Sequence, residues 1–207
     1  QIRSIFDDIE VDAVKIGMVS NIEIIKTIKD LLIEYNAKNV VVDPVMVSKS
    51  GYFLLKPEAQ EAIKDLISIA DVVTPNIPEA EVLTGMKIED SDAMKEAALI
   101  IKRLGAKNVL MKGGHRCNDA NDILLCESDF LTLKGHRINT QNTHGTGCTL
   151  SSAIASHLAK NNDIKKSIEL SKDYITKAIE NSFSIGHGVG PVGHFVEVYK
   201  KADISYK

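Results

Sequence analysis

Cysteine is scarce in this chain: 207 residues hold three, Cys117, Cys126 and Cys148, an odd number without C-x-x-C spacing. That pattern excludes a disulfide framework and a paired-cysteine zinc site, and it fits a reducing, cytoplasmic setting. Long apolar runs are missing as well. No stretch approaches the roughly 20 residues that span a bilayer, and the N-terminus lacks the basic-then-apolar order of a secretory signal. Positive charge is neither in excess nor clustered, with 25 Lys and Arg against 28 Asp and Glu and a formal net charge of −3. This argues against a nucleic-acid surface and leaves small molecules as the expected partners. A G-x-x-x-x-G-K-[ST] phosphate loop is absent, as are repeats, linkers and low-complexity segments. The chain opens at Gln1 with "QIRSIFDDIE", which reads as the end of a helix, so upstream sequence is expected.

Hydrophobic residues make up 44% of the chain and charged residues 26%, enough for one substantial core and a length suited to one domain, at most two. Four short apolar runs end in Gly, Pro or Asp: "VDAVKIG" (11–17), "KNVVVDP" (38–44), "ADVVTP" (70–75) and "KNVLMKGG" (107–114). They read as buried strands. Helical patterns lie between them, with Ile25, Ile28, Leu32 and Tyr35 on one face, and Met94, Ala97, Ala98, Ile101 and Leu104 on another. Alternating strands and helices wind into a parallel sheet covered on both sides, so the fold class is α/β. After Gly114 the rhythm changes. "DILLCES" and "DFLTLKGHRI" form an expected hairpin, an antiparallel sheet edge near 121–138, followed by helices over 146–160 and 164–183, a glycine-rich tail and a short "HFVEVYK".

In such a sheet the ligand crevice lies beyond the carboxyl ends of the strands. The residues there are Gly17 and Met18, then Asp43 and Pro44, then Thr74, Pro75, Asn76 and Glu79, then Lys112, Gly113, Gly114 and His115. Together they offer carboxylates for a metal and a lysine for phosphate, yet each has an ordinary alternative. Asn76 and Glu79 have the spacing of a helix cap with its capping-box acid. Asp43 suits a turn, Lys112 a solvated strand end, and Gly113 with Gly114 a tight turn. Met18 suits a core. The string Gly188, Gly190, Gly193 matches G-x-G-x-x-G, but it follows a helix and contains Pro191, so a dinucleotide site is discarded. His115 and Cys117 have no second pair at metal-ligand spacing and read as loop residues.

"NTHGTGCTLSSAIA" (142–155) carries more information. Gly145, Thr146 and Gly147 immediately precede a helix whose Leu150, Ile154 and Leu158 share a face, so unpaired N–H groups and the positive end of the helix dipole meet there. That is the make-up of an anion site. Glycine lets phosphate oxygens approach closely, and a thiol in the first turn, Cys148, sits in a field that favours thiolate. The alternative is a buried structural cysteine.

These segments, with "VVDPVMVSKSG", "VVTPNIPEAEVLTG", "VLMKGGH" and "IGHGVGPVGHF", resemble the hydroxymethylpyrimidine/phosphomethylpyrimidine kinases of thiamine biosynthesis, members of the ribokinase superfamily. The resemblance runs in order through nearly the whole chain. It implies a three-layer α/β/α sandwich, one ribokinase-like domain over 1–207, that uses ATP and Mg²⁺ to phosphorylate 4-amino-5-hydroxymethyl-2-methylpyrimidine and then its monophosphate. It further implies that Gly145, Thr146 and Gly147 form the anion hole and Cys148 the base, at a position where most ribokinase-like enzymes carry Asp. Asp43, Asn76 and Glu79 move to the Mg²⁺–phosphate region, with Asp43 and Glu79 toward the metal, Lys112 to the ATP phosphates, and Met18 and Val45 to the substrate side. The family's initial strand and glycine-rich substrate loop would precede Gln1 and are expected to lie outside the sequence given, and a homodimer is expected. Pyridoxal kinases of the same superfamily, and a nucleotide-binding fragment without turnover, are the competing readings.

Overall fold

The computed structural model describes residues 1–47, 54–55, 57–114 and 120–204. Val14–Ile16 (β1), Val40–Val42 (β2), Val72–Val73 (β3) and Asn108–Met111 (β4) pair in parallel, in sequential order. Asp122–Cys126 (β5) and Asp129–Leu133 (β6) then add two antiparallel strands at one edge. The hairpin expected near 121–138 is present, and its second strand ends at Leu133.

Sequential order has a geometric consequence. Right-handed crossovers that all step the same way place their helices on one face. Ile22–Glu34 (α2), Pro57–Ile67 (α3), Ile77–Thr84 (α4) and Ser91–Arg103 (α5) connect the parallel strands, and the core shows them sharing that face. Ile25, Leu32, Ile63, Leu66, Leu83, Met94 and Ile101 pack with Val40, Val42, Val73, Val109, Met111, Ile123 and Leu125. The alternate residues of the same strands, Val41, Val72, Leu110 and Leu124, point the other way. They need a second cover, supplied by Thr146–Leu158 (α6) through Leu150, Ile154, Ala155 and Leu158, and by Ile164–Glu180 (α7) through Ile168, Ile175 and Ala178. Three layers result, and strands buried on both faces explain the unbroken apolar runs of β2 to β4.

The two long C-terminal helices start at the expected residues and end two and three residues short of the expected 160 and 183. Ile2–Phe6 (α1) is the short helix read at the N-terminus, and "HFVEVYK" contributes Val196–Lys201 (α8). Among the described residues no helix is long and apolar enough to cross a membrane.

Candidate active site

β2 ends at Asp43. Its N–H still donates to Ile16 O at 2.9 Å, continuing the ladder by one residue, and Pro44 then removes the next donor. β3 continues in the same way, with Thr74 N donating to Val42 O at 3.0 Å. β4 is extended by Lys112, whose N–H reaches Pro75 O at 2.9 Å and whose backbone bridges to Asn76. These extensions fix the backbones of Asp43, Thr74 and Lys112 side by side at the carboxyl edge.

Their side chains then meet. Lys112 Nζ donates to Asp43 Oδ1 at 2.8 Å, and Thr74 Oγ1 donates to the same oxygen at 3.1 Å. Asp43 is only 1% exposed, so the turn that Val45 N–H closes on its carbonyl oxygen at 2.8 Å is not its whole role, and Lys112, with 13% of its side chain exposed, is no solvated strand end. Ser151 reaches Asp43 from α6: its Oγ lies 3.3 Å from Oδ2, and 3.1 Å from the carbonyl oxygens of both Gly147 and Cys148.

Glu79 enters from the first turn of α4. Asn76 is the N-cap: its side chain accepts from Glu79 N at 2.9 Å, and Glu79 Oε2 accepts from Asn76 N at 2.8 Å. The capping box is therefore real, and it also aims Glu79 inward. Oε2 lies 3.9 Å from Lys112 Nζ. Burial pushes the Glu79 carboxyl up to about 7, against the pull of Lys112 and of the Asn76 N–H, with Asp43 adding to the rise. Burial opposes the charge on Lys112, but Asp43 and Glu79 outweigh it and hold the ammonium above its usual range.

α6 brings the glycine-rich stretch to this cluster. Gly145 caps the helix with φ of 82°, a left-handed conformation that glycine adopts without strain. Gly147 allows the close approach: a Cβ there would stand 3.3 Å from Lys112 Nζ and 3.9 Å from Asp43 Oδ2. Thr146 Oγ1 turns back to Thr143 O at 2.9 Å. Cys148 is exposed, so it is not a buried structural cysteine.

Asp43, Asn76, Glu79, Lys112 and Gly147 thus come together, with Gly145, Thr146 and Cys148 on the adjoining turn. Met18 is 56% exposed after β1, not part of a core, and Val45 is half-buried beyond Asp43. Val45 N–H turns back to Asp43 O at 2.8 Å, which ties Val45 to the cluster through the backbone. His115, Cys117 and most of "SKSGYFLLK" lie outside the described residues. Ser151 was missed by sequence reasoning, although a hydroxyl beside Leu150 and in line with Ile154 on an otherwise apolar helical face is a readable signal. Among the described residues no group of three or more His, Cys, Asp or Glu forms a metal site. Two carboxylates match instead the way Mg²⁺ is held jointly with substrate phosphates.

Acids and a lysine at the carboxyl edge of a parallel sheet, facing a glycine-rich helix start, define a class: a ribokinase-like α/β phosphotransferase. The model of the family described as phosphomethylpyrimidine kinase matches residues 1–193, and the chain belongs to that family. It is 41% identical over 201 residues to a hydroxymethylpyrimidine/phosphomethylpyrimidine kinase of Haemophilus influenzae, covering 94% of this chain and 75% of that one. It is 48% identical over 198 residues to a thiamine biosynthesis bifunctional protein of Geobacter sulfurreducens, covering 95% of this chain and 40% of the longer protein. Among solved structures, an ADP complex of Bacillus subtilis pyridoxal kinase superposes with a TM-score of 0.89 at 39% identity, covering 95% of this chain and 75% of that chain. A phosphomethylpyrimidine kinase from Clostridium difficile gives 0.77 at 53% identity, covering 86% and 73%.

Proposed function

We propose that this chain, as one ribokinase-like domain, transfers the γ-phosphoryl group of ATP to the hydroxymethyl oxygen of 4-amino-5-hydroxymethyl-2-methylpyrimidine and then to the phosphate of its monophosphate. The observation that carries the reading is the meeting of Lys112 and Asp43 with Gly147, one residue from an exposed thiol. In the first transfer the substrate oxygen forms its bond to the γ-phosphorus as the bond to the β–γ bridging oxygen breaks, and the hydroxyl proton passes to Cys148 Sγ. The N–H groups of Gly145 to Gly147 and the positive end of α6 hold the phosphoryl oxygens. Lys112 binds the ATP phosphates, and Met18 with Val45 lies toward the pyrimidine. Asp43 and Glu79 would hold Mg²⁺, with Asn76 beside them; the ion supplies charge neutralisation on the transferring phosphate. The transition state is loose, so positioning and charge stabilisation supply most of the rate and the base need not be strong. The enzyme acts as a cytoplasmic homodimer, an expectation that rests on the family resemblance and that sedimentation velocity checks.

A specific observation favours a second reading: the higher superposition score belongs to a pyridoxal kinase. A coupled ADP-release assay with the pyrimidine alcohol, its monophosphate and pyridoxal separates the two. Turnover of both pyrimidines at a higher kcat/KM than pyridoxal is the expected result, and a reversed preference overturns it. The assay is run on residues 1–207 and on a chain extended at its N-terminus. Nucleotide binding without turnover in both would favour a binding role.

A further inference from the structure

A second buried ion pair lies one residue beyond Lys112 and has no part in the chemistry above. Asp122 opens β5 and is 4% exposed. Its Oδ1 accepts from the backbone N–H of Gly113 at 2.8 Å, while Oδ2 takes Lys172 Nζ from α7. Lys172 Nζ also donates to Ala120 O at 3.1 Å. The contact around Gly113 is close enough to exclude any side chain, since a Cβ there would stand 1.8 Å from Asn121 O. β4 and β5 pair from Asn108 to Met111, and past that point the Asp122 carboxylate takes over from the ladder as the fixed partner of the chain.

We infer that Asp122, held by Lys172, is a positioning residue for Lys112: by clamping Gly113 N–H it sets where the Lys112 backbone leaves the sheet, and hence where its ammonium meets the nucleotide phosphates. This rests on the reading that Lys112 binds those phosphates. Lys172 is the counter-ion. Without it Asp122 would be a buried, uncompensated negative charge beside the phosphate end of the site. The clamp works through an acceptor oxygen; the Asp122 charge also supports the Lys112 ammonium, and an Asp122→Asn variant separates the two.

The test removes the charge first. In a Lys172→Met background, Asp122→Asn keeps an acceptor oxygen and Asp122→Ala removes it, and neither leaves a lone buried charge. Affinity for a non-hydrolysable ATP analogue is measured by calorimetry, with cooperative melting as the control for folding. Asp122→Asn should bind within about threefold of the parent chain, and Asp122→Ala about tenfold more weakly, the scale of one unsatisfied buried donor. Asp122→Val in the same background is the second truncation should the alanine protein not fold, since it fills the space without an acceptor. Lys112→Met is measured alone and combined with each. If Lys112→Met binds the analogue normally, the reading of Lys112 fails. If Lys112→Met is weakened but the Asn and Ala variants bind alike, or their difference persists in full without Lys112, the positioning role is overturned.

Discussion

Two buried ion clusters lie within a few residues of one another, and they differ in their balance. Asp122 faces Lys172 one to one, with an oxygen on the ammonium and an oxygen on a backbone N–H. The other cluster sets two carboxylates, Asp43 and Glu79, against the single ammonium of Lys112. A balanced pair is at rest. An acid in excess of its bases, buried and pushed up to about 7, is a group that gains from a further cation, and it is this cluster that faces the glycine-rich start of α6. The difference separates a brace from a binding site more clearly than burial does, because both clusters are buried.

The largest change should come from a residue in neither cluster. Cys148→Ala is expected to lower turnover by roughly 10²- to 10⁴-fold, the usual worth of a general base, while affinity for ATP changes little because the backbone donors remain. Melting temperature should barely move, since the side chain is exposed. Cys148→Asp should retain more activity than Ala. Near-normal turnover in the alanine protein would leave the anion hole alone to carry the site.

Next in size, Asp43→Asn should break the unbalanced cluster itself. Lys112 and Thr74 lose the charged oxygen they share, and breaking a buried pair costs on the order of 3 kcal/mol. The loss should stay near that lower bound, because Glu79 remains close to Lys112. Denaturant unfolding measures it. Activity should fall further than stability explains, and an activity loss that only tracks the unfolded fraction would argue against the metal role.

How far such a site can be read ahead of the structure depends on distance along the chain. The strand ends, the capping box and the helix starting at 146 all come from local patterns, and they are where local chemistry puts them. Ser151 and Thr74 gain their meaning from Asp43, which lies 108 and 31 residues away, and no local period reports that. α3 buries Ala59, Ala62, Ile63, Leu66 and Ile67 on one face, a helical period as legible as that of α2 or α5, although it is not among the helices expected from the sequence. α4 carries Ile77, Ala80 and Leu83 together with buried Glu79, so its only legible sign is the cap.

Glu79→Gln sharpens the comparison through pH. The folded carboxyl titrates near 7 instead of 4.5, so between those values the folded state holds a proton that the unfolded chain has released. Its contribution is complete below about 4.5 and is lost as pH rises through about 7, by on the order of 3 kcal/mol at most. The glutamine variant cannot ionise. It should match the parent near pH 4.5 and melt higher at pH 8, while Mg²⁺-dependent turnover falls and its rise with pH through 7 disappears. Glutamine keeps an acceptor for the Asn76 N–H, so a purely capping role predicts unchanged activity per folded molecule at every pH.

The smallest effect belongs to Ser151→Ala. Its hydroxyl has one hydrogen and three acceptors in reach: Asp43 Oδ2 at 3.3 Å and the carbonyl oxygens of Gly147 and Cys148 at 3.1 Å. Only one can be served at a time. The carbonyls belong to the first turn of α6 and take helical N–H donors in any case, but Lys112 and Thr74 both sit on Asp43 Oδ1, so alanine removes the hydroxyl from Oδ2. Against that loss, alanine is the better helix former. Stability should therefore fall by only about 1 kcal/mol, the low end for a buried polar atom that loses its partner. Turnover should fall only a few-fold, because the hydroxyl couples Asp43 to the turn that carries Gly147 and Cys148 without touching either substrate. Ser151→Val, which adds bulk where the parent side chain is fully buried, should cost more in both. If alanine instead lost as much activity as Asp43→Asn with its melting temperature intact, the bond to Asp43 would outrank those to the helix, and Ser151 would belong to the unbalanced cluster as a working member.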